Sequence, residues 1–411
     1  MRWVDGSSIE AQVLCPSADL DPVSILAQPP SLPFSNDSLA FIDDFSSSLS
    51  KSAAARRHPG IMALAFWMRR ANLNRIRSGF AAQYAEHLLI GRGLAFHIAP
   101  ANVETLWVYS LFLSLLAGNT NIVRVSSNAT DELSVLVGLL DEVLARHPGV
   151  RRRLLVVRYG HDDSLTAAFS AVCDLRVIWG GDDTVNKIRR IPLPPHASEV
   201  AFPGKFSVAV IDAAVWNAER DHARTARAFC LDAFTFNQQG CSSPKLVYWL
   251  GDTVARQAAR ESFWKAVEAA APSVHDYSFG EAEAMTRFVS VCSAAIAAEG
   301  AIARTDAASK LYTTLSLSTL GDIVRDANVG HGMFYEYGWT SLDPLLGWFG
   351  ASDQTVTSYG VSREKWRTAL EQAVPRGICR VVPFGSALEF FPVWDGYDLL
   401  RAFCREVVIA V

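Results

Sequence analysis

Several patterns that would place this chain in a familiar class are missing. The 411 residues hold no Cys-x-x-Cys pair and no His-Glu-x-x-His helix, so no motif points to a metal ion. No Gly-x-Gly-x-x-Gly follows the first strand, and there is no Walker motif; an ordinary dehydrogenase phosphate cradle is therefore not expected. Acids and bases mix along the chain to a net charge of −4 without a basic stripe, which argues against a nucleic-acid surface. The most apolar run, residues 106–117, is too short to span a bilayer and reads as a buried helix. The start, Met1-Arg2-Trp3-Val4-Asp5-Gly6, does not read as a signal peptide. Seven cysteines, odd in number and without paired spacing, argue for reduced thiols in the cytoplasm and against a disulfide framework. No internal repeat is present.

What is there reads as an α/β enzyme. Half of the residues are hydrophobic and 19% are charged, and 411 residues are enough for two domains. Residues 1–37, rich in Pro, Ser and Asp, read as an extended arm. A helix is expected over 38–57, then one over 61–76 with Arg69, Arg70, Arg75 and Arg77 on a solvated or salt-bridged side. Residues 93–99 form an apolar strand, Pro100-Ala101-Asn102-Val103 a turn, and 104–116 a helix stopped by Gly118-Asn119. A second strand follows over 120–125. Strand, helix and strand in so short a span make a βαβ crossover and imply a parallel sheet. The alternation continues through the strand at 175–179 and the turn Gly180-Gly181, which could bring backbone N–H groups close to a phosphate but is also common at plain turns. Ligands of such doubly wound domains sit at the carboxyl ends of the strands.

The second half offers one reactive candidate. Asn237-Gln238-Gln239-Gly240-Cys241-Ser242-Ser243-Pro244-Lys245 joins a helix over 221–234 to a strand rich in Val, Tyr and Trp. A thiol on a loop braced by rigid elements suits a nucleophile. A lone cysteine is also commonly a small buried hydrophobe, and the residues themselves leave both readings open. Cys173, Cys230, Cys292 and Cys404 read as core; Cys15 and Cys379 adjoin arm or loop. His97, inside an apolar strand, reads as a core histidine. His331, between glycines, could donate a proton, and Glu389 has no assigned role. Residues 330–339 are aromatic and Gly-rich without periodicity.

Four segments together resemble the aldehyde dehydrogenase superfamily. They are Pro100-Ala101-Asn102 leading to Gly118-Asn119-Thr120 and Arg124-Val125-Ser126; Trp179-Gly180-Gly181-Asp182; Gly204-Lys205; and Gln239-Gly240-Cys241. Gln239-Gly240-Cys241-Ser242-Ser243-Pro244, Gln354-Thr355 with Tyr359-Gly360, Trp394-Asp395-Gly396-Tyr397-Asp398-Leu399 and Phe66-Trp67-Met68-Arg69 narrow it to the LuxC-type long-chain acyl-CoA reductases. The resemblance covers residues 39–411.

It implies an aldehyde dehydrogenase-like fold: an N-terminal arm and helix (1–59), a parallel-sheet NAD(P)-binding domain (60–211), an α/β catalytic domain (212–385) and a C-terminal segment (386–411) packing back on the first domain. It implies reduction of a long-chain acyl-CoA to the aldehyde through an acyl group on Cys241. Cys241 N–H and the Asn102 amide would bind the oxyanion, and Pro100, Arg124, Ser126, Gly180 and Gly181 would bind the cofactor. From the residues alone, Asn102 is an ordinary turn former before a helix. Arg124 stands where many relatives carry Lys. Its fork can grip a 2′-phosphate, so NADPH is expected in preference to NADH. The general base of hydrolytic relatives is missing: Glu199 is displaced and Ala201 or a neighbour takes its place. The other readings are the same chemistry on a carrier-protein-bound acyl group, and a non-catalytic scaffold for an acyl-transferring partner. A homo-oligomer is expected.

Overall fold

The computed structural model describes residues 11–17, 25–100, 103–128, 130–274, 280–298, 300–306 and 309–411. The chain divides into two units, Met1–Pro203 with Phe390–Val411 and Gly204–Glu389.

In the first unit the strands are β1 (Gln12–Cys15), β2 (Leu88–Gly91), β3 (Leu94–Ile98), β4 (Thr120–Val125), β5 (Leu154–Arg158), β6 (Leu175–Trp179) and β7 (Ser198–Phe202). Six of them form one sheet in the order β1-β5-β4-β3-β6-β7. All neighbours are parallel except β1, which runs antiparallel to β5. β3, β4 and β6 are buried along nearly their whole length, so they read as continuous apolar runs, as parallel strands covered on both faces do. Helix Thr105–Leu116 crosses from β3 to β4 and is buried almost all round. It stops at Gly118, whose φ of +94° suits glycine and whose absent Cβ would lie 2.2 Å from the Ser31 carbonyl oxygen. The chain runs from β3 outward through β4 to β5, then returns to the other side of β3 for β6 and β7. The strand order therefore reverses between β3 and β6.

Three local expectations change here. The described part of the N-terminal arm supplies β1, which pairs the exposed edge of β5. The helix expected over 61–76 is two, Pro59–Trp67 and Arg70–Gln83. Arg69 leaves helical geometry between them (ψ 146°), and the Asn72 amide donates to the Trp67 carbonyl at 2.7 Å, satisfying the broken end. Cys15 is buried, and its thiol donates to Asp141 Oδ1 at 3.7 Å. His97 is a core histidine, held between Ser110 Oγ at 2.8 Å and Asn121 Oδ1 at 3.0 Å. Desolvation pushes its pKa down to about 4.

The C-terminal stretch belongs to this unit. Trp394-Asp395-Gly396-Tyr397 is a two-residue hairpin in which Asp395 and Gly396 take the positive φ values that such turns require. Strand Cys404–Val407 then pairs antiparallel with β2.

The second unit holds β8 (Phe206–Asp212), β9 (Pro244–Leu250), β10 (Ile302–Asp306), β11 (Thr313–Leu317), β12 (Met333–Trp339), β13 (Asp353–Tyr359) and β14 (Arg380–Pro383). They form one sheet in the order β10-β11-β12-β9-β8-β13-β14, parallel throughout except at β10. β8 lies in the middle of this sheet, so the strand that the sequence reading put at the end of the first domain pairs instead with β9 and β13. β12, within the Gly-rich aromatic stretch, lies between β11 and β9; a strand covered on both faces shows no alternation. Apolar cores pack on each face, one around Tyr248, Tyr335 and Trp366, the other around Trp216, Phe229, Phe263 and Phe334. Cys292, expected in the core, is exposed on helix Glu281–Ala297.

Candidate active site

Cys241 is half-buried just before β9 begins. The parallel strands β8, β9, β12, β13 and β14 all start at this edge, so their first residues surround the thiol loop. Ser207 of β8 donates its hydroxyl to the Cys241 carbonyl at 2.7 Å and accepts the Thr355 amide of β13 at 3.3 Å. Ser242, buried beside the thiol, donates to Gln354 Oε1 at 3.1 Å and accepts from Arg380 Nη2 at 3.2 Å. Arg380, at the start of β14, also donates to the carbonyls of Ala387 and Glu389. The turn closes with Ser243 N–H on the Gly240 carbonyl at 3.0 Å.

The approach to Cys241 is strained. Phe236, Asn237 and Gln238 have φ of 55°, 52° and 63°, three successive left-handed residues of which none is glycine. Each costs roughly 1–2 kcal/mol and persists only where surrounding bonds over-determine it. Those bonds come from the loop before β12. The Gln238 amide, fully buried, donates to the carbonyls of Pro244 (2.8 Å) and Met333 (3.3 Å) and accepts from Gly332 N–H (2.9 Å). Asn237 O accepts from His331 N–H at 2.9 Å, and Gln239 Nε2 donates to Val329 O at 2.7 Å. Gly330 is required by this closeness: a Cβ there would lie 2.5 Å from Gln239 Nε2.

His331 is itself left-handed (φ 53°), and its Nε2 lies 3.4 Å from Gln239 Nε2. Desolvation holds its imidazole below the ordinary pKa. Its Nδ1 is buried without a partner among the described residues. Glu389 is exposed, with Ser386 Oγ on its carboxylate at 3.2 Å. Asp232, on helix His222–Phe234, accepts the amides of Gly385 at 2.7 Å and Ala387 at 2.8 Å, and burial pushes its pKa up to about 7.

The cofactor candidates gather at one edge of the first sheet. Pro100 follows β3 and Gly180-Gly181 follows β6, on the two sides of the strand-order reversal. Arg124 and Ser126 mark the end of β4. Arg124 Nη2 donates to the carbonyls of Tyr159 (3.2 Å) and Gly160 (3.4 Å), and its guanidinium lies 5.4 Å from the Tyr159 ring centroid. Ser126 Oγ accepts the Asn128 amide at 3.2 Å. Arg158 ends the adjacent strand, and its buried Nε has no partner among the described residues. Gly181 N-caps helix Asp182–Arg189 and faces open space, but that helix begins with Asp182 and Asp183, which repel a phosphate. Arg124 and Arg158 are thus cationic groups at this edge. Asn102 lies outside the described residues. Among the described residues no cluster of His, Cys, Asp and Glu could hold a metal ion, and no helix is long and apolar enough to cross a membrane.

The sequence profile of the acyl-CoA reductase (LuxC) family matches residues 71–276, half of the chain. The chain belongs to this family. A long-chain acyl-protein thioester reductase of Aliivibrio fischeri is 27% identical over 165 residues, 40% of this chain and 33% of the relative. One from Photorhabdus luminescens is 30% identical over 162 residues, 39% of this chain and 32% of the relative. The chain thus spans about a third of the length of the curated relatives it matches. Among solved structures, a lactaldehyde dehydrogenase superposes with a TM-score of 0.62 at 14% identity, covering 91% of this chain and 86% of that one. Aldehyde dehydrogenase 21 of Physcomitrella patens, in complex with the reaction product succinate, gives 0.65 at 10% identity, covering 91% and 85%. The fold is that of the aldehyde dehydrogenases.

In this LuxC-family chain Glu199 is no free carboxylate. It accepts Arg176 Nε and Arg189 Nε, each at 2.8 Å, and serves as an ion-pair partner in β7. Sequence reasoning missed Gln238, Arg380 and Ser207. Their one visible signal is polarity beside apolar strands, too common to mark a role.

Proposed function

We propose that this chain reduces an acyl thioester to the aldehyde, carrying the acyl group on Cys241 and drawing hydride from NADPH in preference to NADH. The observation that carries this reading is the Cys241 loop. A half-exposed thiol ends a strained segment that the buried Gln238 amide and the Asn237 carbonyl tie to the loop before β12, beside the starts of several parallel strands. A fold holds such strain where it needs one group placed accurately.

The Cys241 thiolate attacks the thioester carbonyl carbon. The new C–S bond forms, and the carrier sulfur leaves with its electron pair and takes up a proton. Cys241 N–H and the Asn102 amide are the proposed oxyanion donors, each worth about 3 kcal/mol in comparable sites. A nicotinamide, when bound, would supply hydride; Cys241 holds the acyl group as it is reduced and then carries the hemithioacetal. The C–S bond then breaks, returning the thiolate and releasing the aldehyde. Arg124, Arg158 and Ser126 would hold the adenosine end of the cofactor, with Pro100, Gly180 and Gly181 beside it. The ion-paired Glu199 supplies no base to activate water, which favours hydride transfer over hydrolysis of the acyl-enzyme.

The donor is an acyl-CoA or an acyl group on a protein. The second reading draws support from the matched relatives, which are named for acyl-protein thioesters.

Incubation with radiolabelled acyl-CoA without NADPH should label the wild type and not Cys241→Ser. Added NADPH should discharge the label as aldehyde. Acyl label and near-wild-type turnover in Cys241→Ser would sink the covalent mechanism.

A further inference from the structure

Lys245 lies four residues after Cys241 and is the one charged residue of β9. β8 and β9 pair at Ser207–Pro244 and next at Val208–Leu246, so Lys245 is an extra residue with no opposite number on β8. Such a bulge bends the strand and re-aims the side chain it carries, and bulges recur beside active sites. Ser207, the residue before the slip, is also the one whose hydroxyl binds the Cys241 carbonyl at 2.7 Å. Cys241 and the bulged Lys245 are therefore fastened to the same point of β8. Lys245 is half-buried, and among the described residues no carboxylate pairs with it.

We propose that the Lys245 ammonium is the counter-charge that favours the thiolate form of Cys241. This rests on Cys241 being the nucleophile. Burial lowers the pKa of the lysine, and the charged group that opposes this lowering is Cys241. Charge coupling is mutual, so an ammonium stabilised by the thiolate stabilises the thiolate equally. Ionisation of the thiol releases its proton to water and leaves Lys245 protonated.

The other charged groups around the loop are differently engaged. Arg380 reaches Ser242 but also holds the carbonyls of Ala387 and Glu389, and it acts on the Asp232 carboxyl. His331 touches Gln239, is kept below its ordinary pKa by burial, and faces Glu283 and Arg287. Glu389 bears on Asp232. Lys245 is a cation whose charge couples to the thiol, and among the described residues no carboxylate pairs with it.

The test is the pH dependence of iodoacetamide alkylation at Cys241, read by peptide mass so that exposed Cys292 does not interfere. Wild type, Lys245→Met and Lys245→Arg are compared as intact chains, with Lys245→Gln in place of Met if that variant does not fold. In the charge-less variant the alkylation midpoint should rise by about one pH unit, with about a tenfold slower reaction at pH 7. Lys245→Arg should bring it back. An unchanged midpoint without the charge, or a raised midpoint that Arg leaves uncorrected, overturns the proposal. Failure of the wild type to accumulate acyl label would instead remove Cys241 as nucleophile, a result independent of the alkylation midpoint.

Discussion

Gln238 grips the Gly332 amide at 2.9 Å through its side-chain carbonyl, and the same side chain donates to the carbonyls of Pro244 and Met333. One buried amide thus ties the residues before Cys241 to the start of β12. Gln238→Ala removes all three bonds and leaves Gly332 N–H and the Pro244 carbonyl without this partner. An orphaned buried group costs about 1–3 kcal/mol, so a loss of ~2–4 kcal/mol is expected in urea unfolding. The strained conformation of Phe236–Gln238 loses its brace as well. Acyl labelling of Cys241 should fall at least as steeply as stability, including at temperatures where the variant remains folded.

Arg124 gives a cofactor prediction. Its guanidinium is partly engaged by two carbonyls, and Arg158 ends the neighbouring strand with an Nε that has no partner among the described residues. If both face the 2′-phosphate, Arg124→Ala should weaken NADPH binding about tenfold relative to NADH, a charge-assisted contact being worth ~1.5–3 kcal/mol. Fluorescence titration with each nucleotide checks this. An unaltered NADPH/NADH affinity ratio would show that Arg124 does not read the phosphate.

Asp232 predicts a pH dependence of stability. Its folded pKa is raised to about 7, and desolvation is the largest cause. Between the unfolded value near 4 and about 7 the folded chain holds a proton that the unfolded chain has lost. This group therefore lowers stability as pH rises through that window, by at most about 1.4 kcal/mol per pH unit, and adds no slope above it. Urea midpoints from pH 4.5 to 8 should show this fall. Asp232→Asn should flatten it and lower stability overall, because the amide cannot accept from both Gly385 and Ala387.

Glu336 is a buried carboxylate on β12 of the second sheet. Its Oε1 accepts the indoles of Trp249 at 3.0 Å and Trp264 at 2.7 Å, and Oε2 accepts from Arg260 at 2.8 Å. Glu336→Ala leaves Arg260 without its buried carboxylate and two indole N–H groups without an acceptor. Breaking one side of such a pair costs about 3–5 kcal/mol. The variant should unfold well below the wild type in a thermal scan followed by tryptophan fluorescence. Glu336→Gln keeps an acceptor for the indoles and should lose less.

The sequence by itself determined the layered architecture and the identity of the reactive thiol candidate. Apolar strands alternating with helices from residue 94 to 202 can bury their surfaces only as a parallel sheet under helices, and that periodicity is local. The Gly118 stop and the core position of His97 were likewise legible, because each depends on neighbours a few residues away or on one apolar strand. Tertiary structure alone decided what supports Cys241. Gln238 meets Gly332 across more than ninety positions, Arg380 meets Ser242 across more than a hundred, and Ser207 is brought to the Cys241 carbonyl by pairing of β8 with β9. Such contacts arise from strand order and register, which no periodicity in the chain encodes. The same holds for β12, whose pattern is blank because both its faces are covered, and for Lys245, which becomes notable only when the register slips beside it.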